Sequence, residues 1–201
     1  MRPVRLFSSA CRRLADERDG FTLVEVLVAA VILVIGSAGI LLTFVAGIHN
    51  VQRGKESQVA ISVAEREMEK VSSLPYEKIA LTSTPAHSTE TANPNSRVTG
   101  STFNLNRTGT AENATMVVES AGGVAPGPTA FSSGGVSGEV YRFVVWRKDA
   151  AYCAANPTKS SCTSGQSFKR VVVDVWPDKP GSGSQRAYSE LQSDFVDPTP
   201  E

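Results

Sequence analysis

Two histidines and three cysteines in 201 residues leave few of the side chains that bind metals or act as nucleophiles. No nucleophile, base and orienting residue stand in a recognisable combination, no glycine-rich phosphate loop is present, and no carboxylate cluster has a catalytic arrangement. The sequence gives no reason to read the chain as an enzyme, and it implies no cofactor and no metal. An excess of charge is missing as well: 20 Lys and Arg balance 20 Asp and Glu, which argues against a nucleic-acid-coating protein or an acidic solvating tail. The length suits one domain of ordinary size with a tail or anchor.

The longest absence is of charge itself. From Val26 to Ile48, 23 residues pass without a charged side chain. At ~1.5 Å per residue this run spans roughly 35 Å, enough for a hydrocarbon core of about 30 Å. A buried helix of a soluble core is the plainer reading, but it rarely needs so long an uncharged stretch. The first 20 residues hold five arginines (Arg2, Arg5, Arg12, Arg13, Arg18) against Asp16, Glu17 and Asp19, a net of +2. The Arg-rich side is the one usually retained, so residues 1–20 are expected in the cytoplasm and the C-terminal body outside it. A secretory signal peptide also begins basic and continues apolar, yet its apolar core is only about 7 to 15 residues long and ends at a small-residue cleavage site. Here the run is longer, and polar helical sequence continues beyond it.

The unusual feature precedes the apolar run, in the order Asp19, Gly20, Phe21, Thr22, Leu23, Val24, Glu25. A carboxylate at the lip of an uncharged helix costs several kcal/mol when buried unless something pairs with it. Cleavage after Gly20 would place a new amine at Phe21, one turn away, and the amine of a neighbouring subunit would serve equally well. Glu25 then acts as a register device, satisfied at only one axial offset. The plainer readings are a flexible glycine joint and a glutamate that snorkels to water.

Gly20-Phe21-Thr22-Leu23-Val24-Glu25, followed by Val26-Leu27-Val28-Ala29, resembles the class III leader junction of type IV prepilins and pseudopilins. The resemblance covers roughly residues 10 to 75. It implies cleavage between Gly20 and Phe21 by a prepilin peptidase, N-methylation of Phe21, and an assembly role for Glu25. It implies as partners the peptidase/methyltransferase, other pilin subunits, an inner-membrane assembly platform and the lipid bilayer, with nucleic acid only in a competence system. Ala64-Glu65-Arg66 with Leu74-Pro75-Tyr76 is similar to minor pilins of the PilV type; pseudopilins of type II secretion or of DNA uptake remain open. So does a reading of another class, an uncleaved single-pass anchor whose outer domain binds a ligand.

Four segments are expected: a leader over 1–20, the membrane or filament-core half of a long helix over 21–50, its amphipathic half over 51–75, and a β-rich body over 76–201. In the amphipathic half Ile61, Ala64, Met68 and Val71 recur at spacings of three and four. Arg66 with Glu69 and Glu67 with Lys70 are opposite-charge pairs three apart, and Pro75 ends the helix after Leu74. Gly36, Gly39 and Gly47 favour either close helix approach or local melting, or are ordinary glycines of a membrane span.

In the body, 82–102 reads as an exposed connection, and Phe103–Leu105 and Met116–Val118 as short strands. A second flexible stretch runs from Gly122 to Gly135. Val140–Trp146 and Lys169–Trp176 carry the strongest β signal, and an antiparallel hairpin is expected. Val171, Val173 and Val175, with Tyr141, Phe143 and Val145 as the matching set, are predicted to face the helix. Cys153 and Cys162 lie between these strands, and outside the cytoplasm they are expected to form a disulfide; with no histidine nearby they make a poor metal site. Cys11 belongs to the leader. Asn106-Arg107-Thr108 and Asn113-Ala114-Thr115 fit the glycosylation pattern but are short enough to arise by chance. His49 reads as an interfacial residue. The fold class is therefore α+β and pilin-like, one long N-terminal helix with a small antiparallel sheet.

Overall fold

The computed structural model describes residues 22–90, 93–107, 109–177 and 189–197. The chain forms two units divided between Asn50 and Val51. One α-helix, α1 (Leu23–Ser72), runs through the division. Backbone bonds from Ser73 to Glu69 and from Leu74 to Val71 tighten its last turn, and Pro75 stops it. The helix is thus two residues shorter than expected at its C-terminal end, a difference that lies within the fraying of a terminal turn.

In the second unit α1 buries Ala60, Val63, Ala64, Glu67, Met68 and Val71. This stripe differs from the expected one: Ile61 points to solvent at 46% exposure, and Ala60, Val63 and Glu67 join Ala64, Met68 and Val71. Glu67 and Lys70 pair as expected at 2.6 Å, whereas Arg66 and Glu69 form no ion pair among the described residues.

The main sheet has the order β4–β5–β6–β7, all neighbours antiparallel, formed by β4 (Thr129–Ser133), β5 (Val136–Arg147), β6 (Phe168–Pro177) and β7 (Ser189–Phe195). The predicted hairpin is its centre, β5 and β6, lengthened at both ends. β4 stands inside the stretch read as flexible. It reaches β5 through Gly134 and Gly135, whose φ angles of 57° and 76° suit a two-residue hairpin turn of the kind that matches strand twist.

The register corrects the facing. Val140 pairs with Val175, Arg142 with Val173 and Val144 with Val171, while Phe143 pairs with Val172 and Tyr141 with Asp174. Residues paired across antiparallel strands share a face. Val171, Val173 and Val175 therefore belong with Val140, Arg142 and Val144 on the face that meets α1. Tyr141, Phe143 and Val145 lie on the opposite face with Val172. Both faces are buried: Phe143, Val144, Val145, Val171, Val172 and Val173 are all fully enclosed. That is why the strands read as continuous apolar runs rather than as a clean alternation.

The second cover is a small antiparallel sheet of β1 (Val98–Thr99), β2 (Thr102–Asn104) and β3 (Asn113–Thr115). Phe103 stacks on Phe143 with ring centroids 4.0 Å apart, joining the two sheets. The segment 82–102 is thus not a bare connection: a turn at Pro94–Arg97 and β1 bury Asn95 and Val98, and His87 Nδ1 lies 2.6 Å from the Val98 carbonyl. The expected strand Met116–Val118 makes only single bridges, Met116 to Val145 and Val118 to Leu81. The β5–β6 connection holds two short helices, α2 (Ala150–Ala155) and α3 (Ser160–Ser164).

Candidate processing and assembly site

Gly20, Phe21 and the rest of the leader, Cys11 included, lie outside the described residues; Glu25 lies within them. Thr22 precedes the first helical residue, and its Oγ1 accepts a hydrogen bond from the Glu25 backbone N–H at 3.3 Å, beside the bond from that N–H to the Thr22 carbonyl at 3.0 Å. Thr22 is therefore the N-cap of α1, a role the sequence reading missed although Thr22-Leu23-Val24-Glu25 has the S/T-x-x-E spacing of a capping box. Glu25 sits in the first turn, where the free N–H groups favour a negative charge. Its carboxylate is exposed and has no side-chain partner among the described residues. An amine presented to this end of the helix would meet an uncommitted carboxylate.

From Leu23 to Val51 no apolar side chain of the helix is covered by the protein. Leu23, Leu33, Leu42 and Val51 are exposed at 77, 71, 73 and 74%. The segment is long and apolar enough to anchor the chain in a membrane, and no part of its most apolar stretch is buried, unlike the core helix of a soluble domain. His49 is exposed on the same helix.

The body has a different electrostatic centre. Arg142, from the helix-facing side of β5, donates through Nη2 and Nε to Glu67 Oε2 at 2.6 and 3.1 Å, and through Nη1 to the Thr129 hydroxyl and the Ala125 carbonyl. Both partners are more than nine-tenths buried. Burial pushes the Glu67 carboxyl up, but the hydrogen bonds and charges of Lys70 and Arg142 outweigh it and hold the group below its ordinary 4.5. Lys169 is equally enclosed; its Nζ donates to the Tyr76 carbonyl and lies over the Tyr76 and Trp146 rings. Burial lowers the pKa of this ammonium against the pull of Glu119, Asp197 and Glu77. On the other face, burial and the bond to Glu139 push the Tyr141 hydroxyl up to about 12. Each of these groups has a partner within the fold.

Cys153 in α2 and Cys162 in α3 are brought together in a disulfide with Cα atoms 5.2 Å apart. Both are buried, and Asp149 caps α2 by accepting from the Tyr152 N–H. The bridge fixes the β5–β6 connection and leaves neither thiol for a metal.

No curated protein and no solved structure matches the chain. Residues 18–41, which include Gly20, Phe21 and Glu25, match the prokaryotic N-terminal methylation motif, so the chain carries a prepilin-type leader motif ahead of its apolar helix and antiparallel sheets.

Proposed function

We propose that this chain is a minor pilin or pseudopilin, cut between Gly20 and Phe21, N-methylated on Phe21, and incorporated into a type IV pilus-like filament. In this reading residues 1–20 are cytoplasmic, the apolar half of α1 crosses the membrane once, and the body is extracytoplasmic. Glu25 is the assembly residue: its uncommitted carboxylate pairs with the amine of Phe21, its own or a neighbour's, and so selects one axial offset. The role is structural rather than catalytic, with assembly, adhesion or cargo contact as its outputs. Among filament systems we favour a pilus component of the PilV type over a type II secretion or competence pseudopilin, on the strength of Ala64-Glu65-Arg66 and Leu74-Pro75-Tyr76. The observation that carries the reading is an uncovered apolar helix headed by a matching methylation motif with an exposed Glu25.

The test is the intact mass and N-terminal sequence of the protein recovered from its native membrane or filaments. A chain that begins at methylated Phe21 supports the proposal. A chain that retains Met1 in cells with an active prepilin peptidase sinks it and favours the uncleaved anchor. Replacing Glu25 with Val leaves membrane insertion intact and lowers filament incorporation; unchanged incorporation removes the assembly role. Gene neighbours separate pilus, secretion and uptake systems.

A further inference from the structure

A cavity of about 250 Å³ opens where the two sheets of the body part company. Met116 bridges Val145 in antiparallel fashion, and the Val117 N–H donates to the Val144 carbonyl at 2.8 Å. Continued pairing would set Thr115 against Trp146, Ala114 against Arg147 and Asn113 against Lys148. Instead β3 turns away to pair with β2, Asn113 against Asn104, and the strands splay. The cavity fills that wedge. Residues 113–115 form one wall, 146–148 the other, and Ser164–Gln166 close it from the disulfide-tied connection.

The wall chemistry is selective. Asn113, Thr115, Lys148 and Gln166 make no side-chain hydrogen bond or ion pair among the described residues. All four are exposed, so two amides, a hydroxyl and an ammonium group belong to residues that border one concave site. No lining residue is acidic; Arg147 is held at Nη1 by Glu112, while its Nε is buried without a hydrogen-bond partner among the described residues. Amides and a hydroxyl both donate and accept, which matches the alternating demands of vicinal sugar hydroxyls; the ammonium adds a place for one carboxylate. The volume lies just below the range for drug-sized ligands and suits one or two sugar rings rather than a longer chain.

We infer that this wedge is a binding site for an acidic saccharide of the uronic-acid class, with Lys148 on the carboxylate and Asn113, Thr115 and Gln166 on the hydroxyls. The rigid connection behind it supports the site: the disulfide and Gly165, which ends α3 at φ 73°, fix where Gln166 stands. The site is independent of processing at Gly20, and it would persist if the chain were not a filament subunit.

The experiment titrates the full-length chain in detergent micelles with digalacturonate, following the side-chain amide resonances of Asn113 and Gln166 by NMR. Saturable shifts at both amides are expected, and Lys148→Ala weakens binding by about fivefold, the scale of an exposed charge pair. Neutral galactobiose binds more weakly by a similar factor. Asn113→Asp, an exposed change that keeps the side chain's size, abolishes the Gln166 shift by setting a second carboxylate against the ligand. Lack of saturation, equal binding of the neutral disaccharide, or indifference to Lys148→Ala overturns the inference. Equal competition by a short polyglutamate peptide overturns it in favour of an acidic peptide.

Discussion

The two halves of α1 share one backbone and opposite fates. From Leu23 to Val51 the helix presents apolar side chains in every direction and buries none of them in the protein; from Ala60 to Val71 it buries a single stripe and leaves the rest to water. Helical propensity serves both halves, so it does not account for the difference. The apolar half has no covering surface of its own and depends on lipid or on other copies. The amphipathic half has the valine face of β5 and β6 and a buried carboxylate matched to Arg142. One half is completed by its surroundings, the other by its own fold.

The largest expected effect breaks the second half. Arg142→Leu leaves the buried Glu67 with Lys70 as its one charged partner and lowers the body's stability by about 3 kcal/mol, the low end for a broken buried pair, while the double change Glu67→Leu with Arg142→Leu recovers most of it. Denaturant unfolding of the full chain in micelles measures both, and a single variant as stable as the wild type would show that the pair contributes nothing. Membrane insertion of either variant should not change.

A smaller effect comes from the connection. Cys153→Ser with Cys162→Ser frees a short loop and costs about 2.5 kcal/mol on the chain-entropy account. The strand amides of β5 and β6 should keep their hydrogen-exchange pattern, apart from those beside the loop.

Acidification sharpens the comparison further. Because Glu67 is held below 4.5 in the folded body, its contribution is complete above that value and fades as pH falls through the folded value. A plot of stability against pH should bend downward there, and Glu67→Gln should remove that part of the bend. The smallest effect lies at the other end of the helix. Thr22→Ala removes the cap, worth about 1 kcal/mol, and should quicken amide exchange at Glu25 and Val26 by about fivefold without touching the body.

What could be read from the sequence follows the strength of each local signal. The uncharged run and the Glu25 junction were legible because a charge at the edge of 23 apolar residues has few explanations. β5 and β6 were legible through their valines and aromatics. Their facing was not, because a one-residue change of register exchanges the two faces and nothing within either strand fixes it. Val171-Val172-Val173 did carry a hint, since three enclosed neighbours require cover on both sides. β7 escaped because Ser189-Glu190-Leu191-Gln192-Ser193-Asp194-Phe195 has little intrinsic β preference; its pairing with β6 makes it a strand. β4 was hidden among glycines and prolines that mark turns around it. At the candidate site, the capping role of Thr22 is hidden because its spacing to Glu25 falls inside the cleavage junction.

The stripe from Ala60 to Val71 has a mechanical consequence. Wherever the apolar half is held fast, a pull on the body along the helix axis is shared between this contact and the chain that leaves the helix at residues 73–75. Flat methyl surfaces resist sliding weakly, because each small step trades one contact for the next. Glu67 seated in the fork of Arg142 acts as a transverse peg: any slide along the axis must stretch this pair as well as trade methyl contacts.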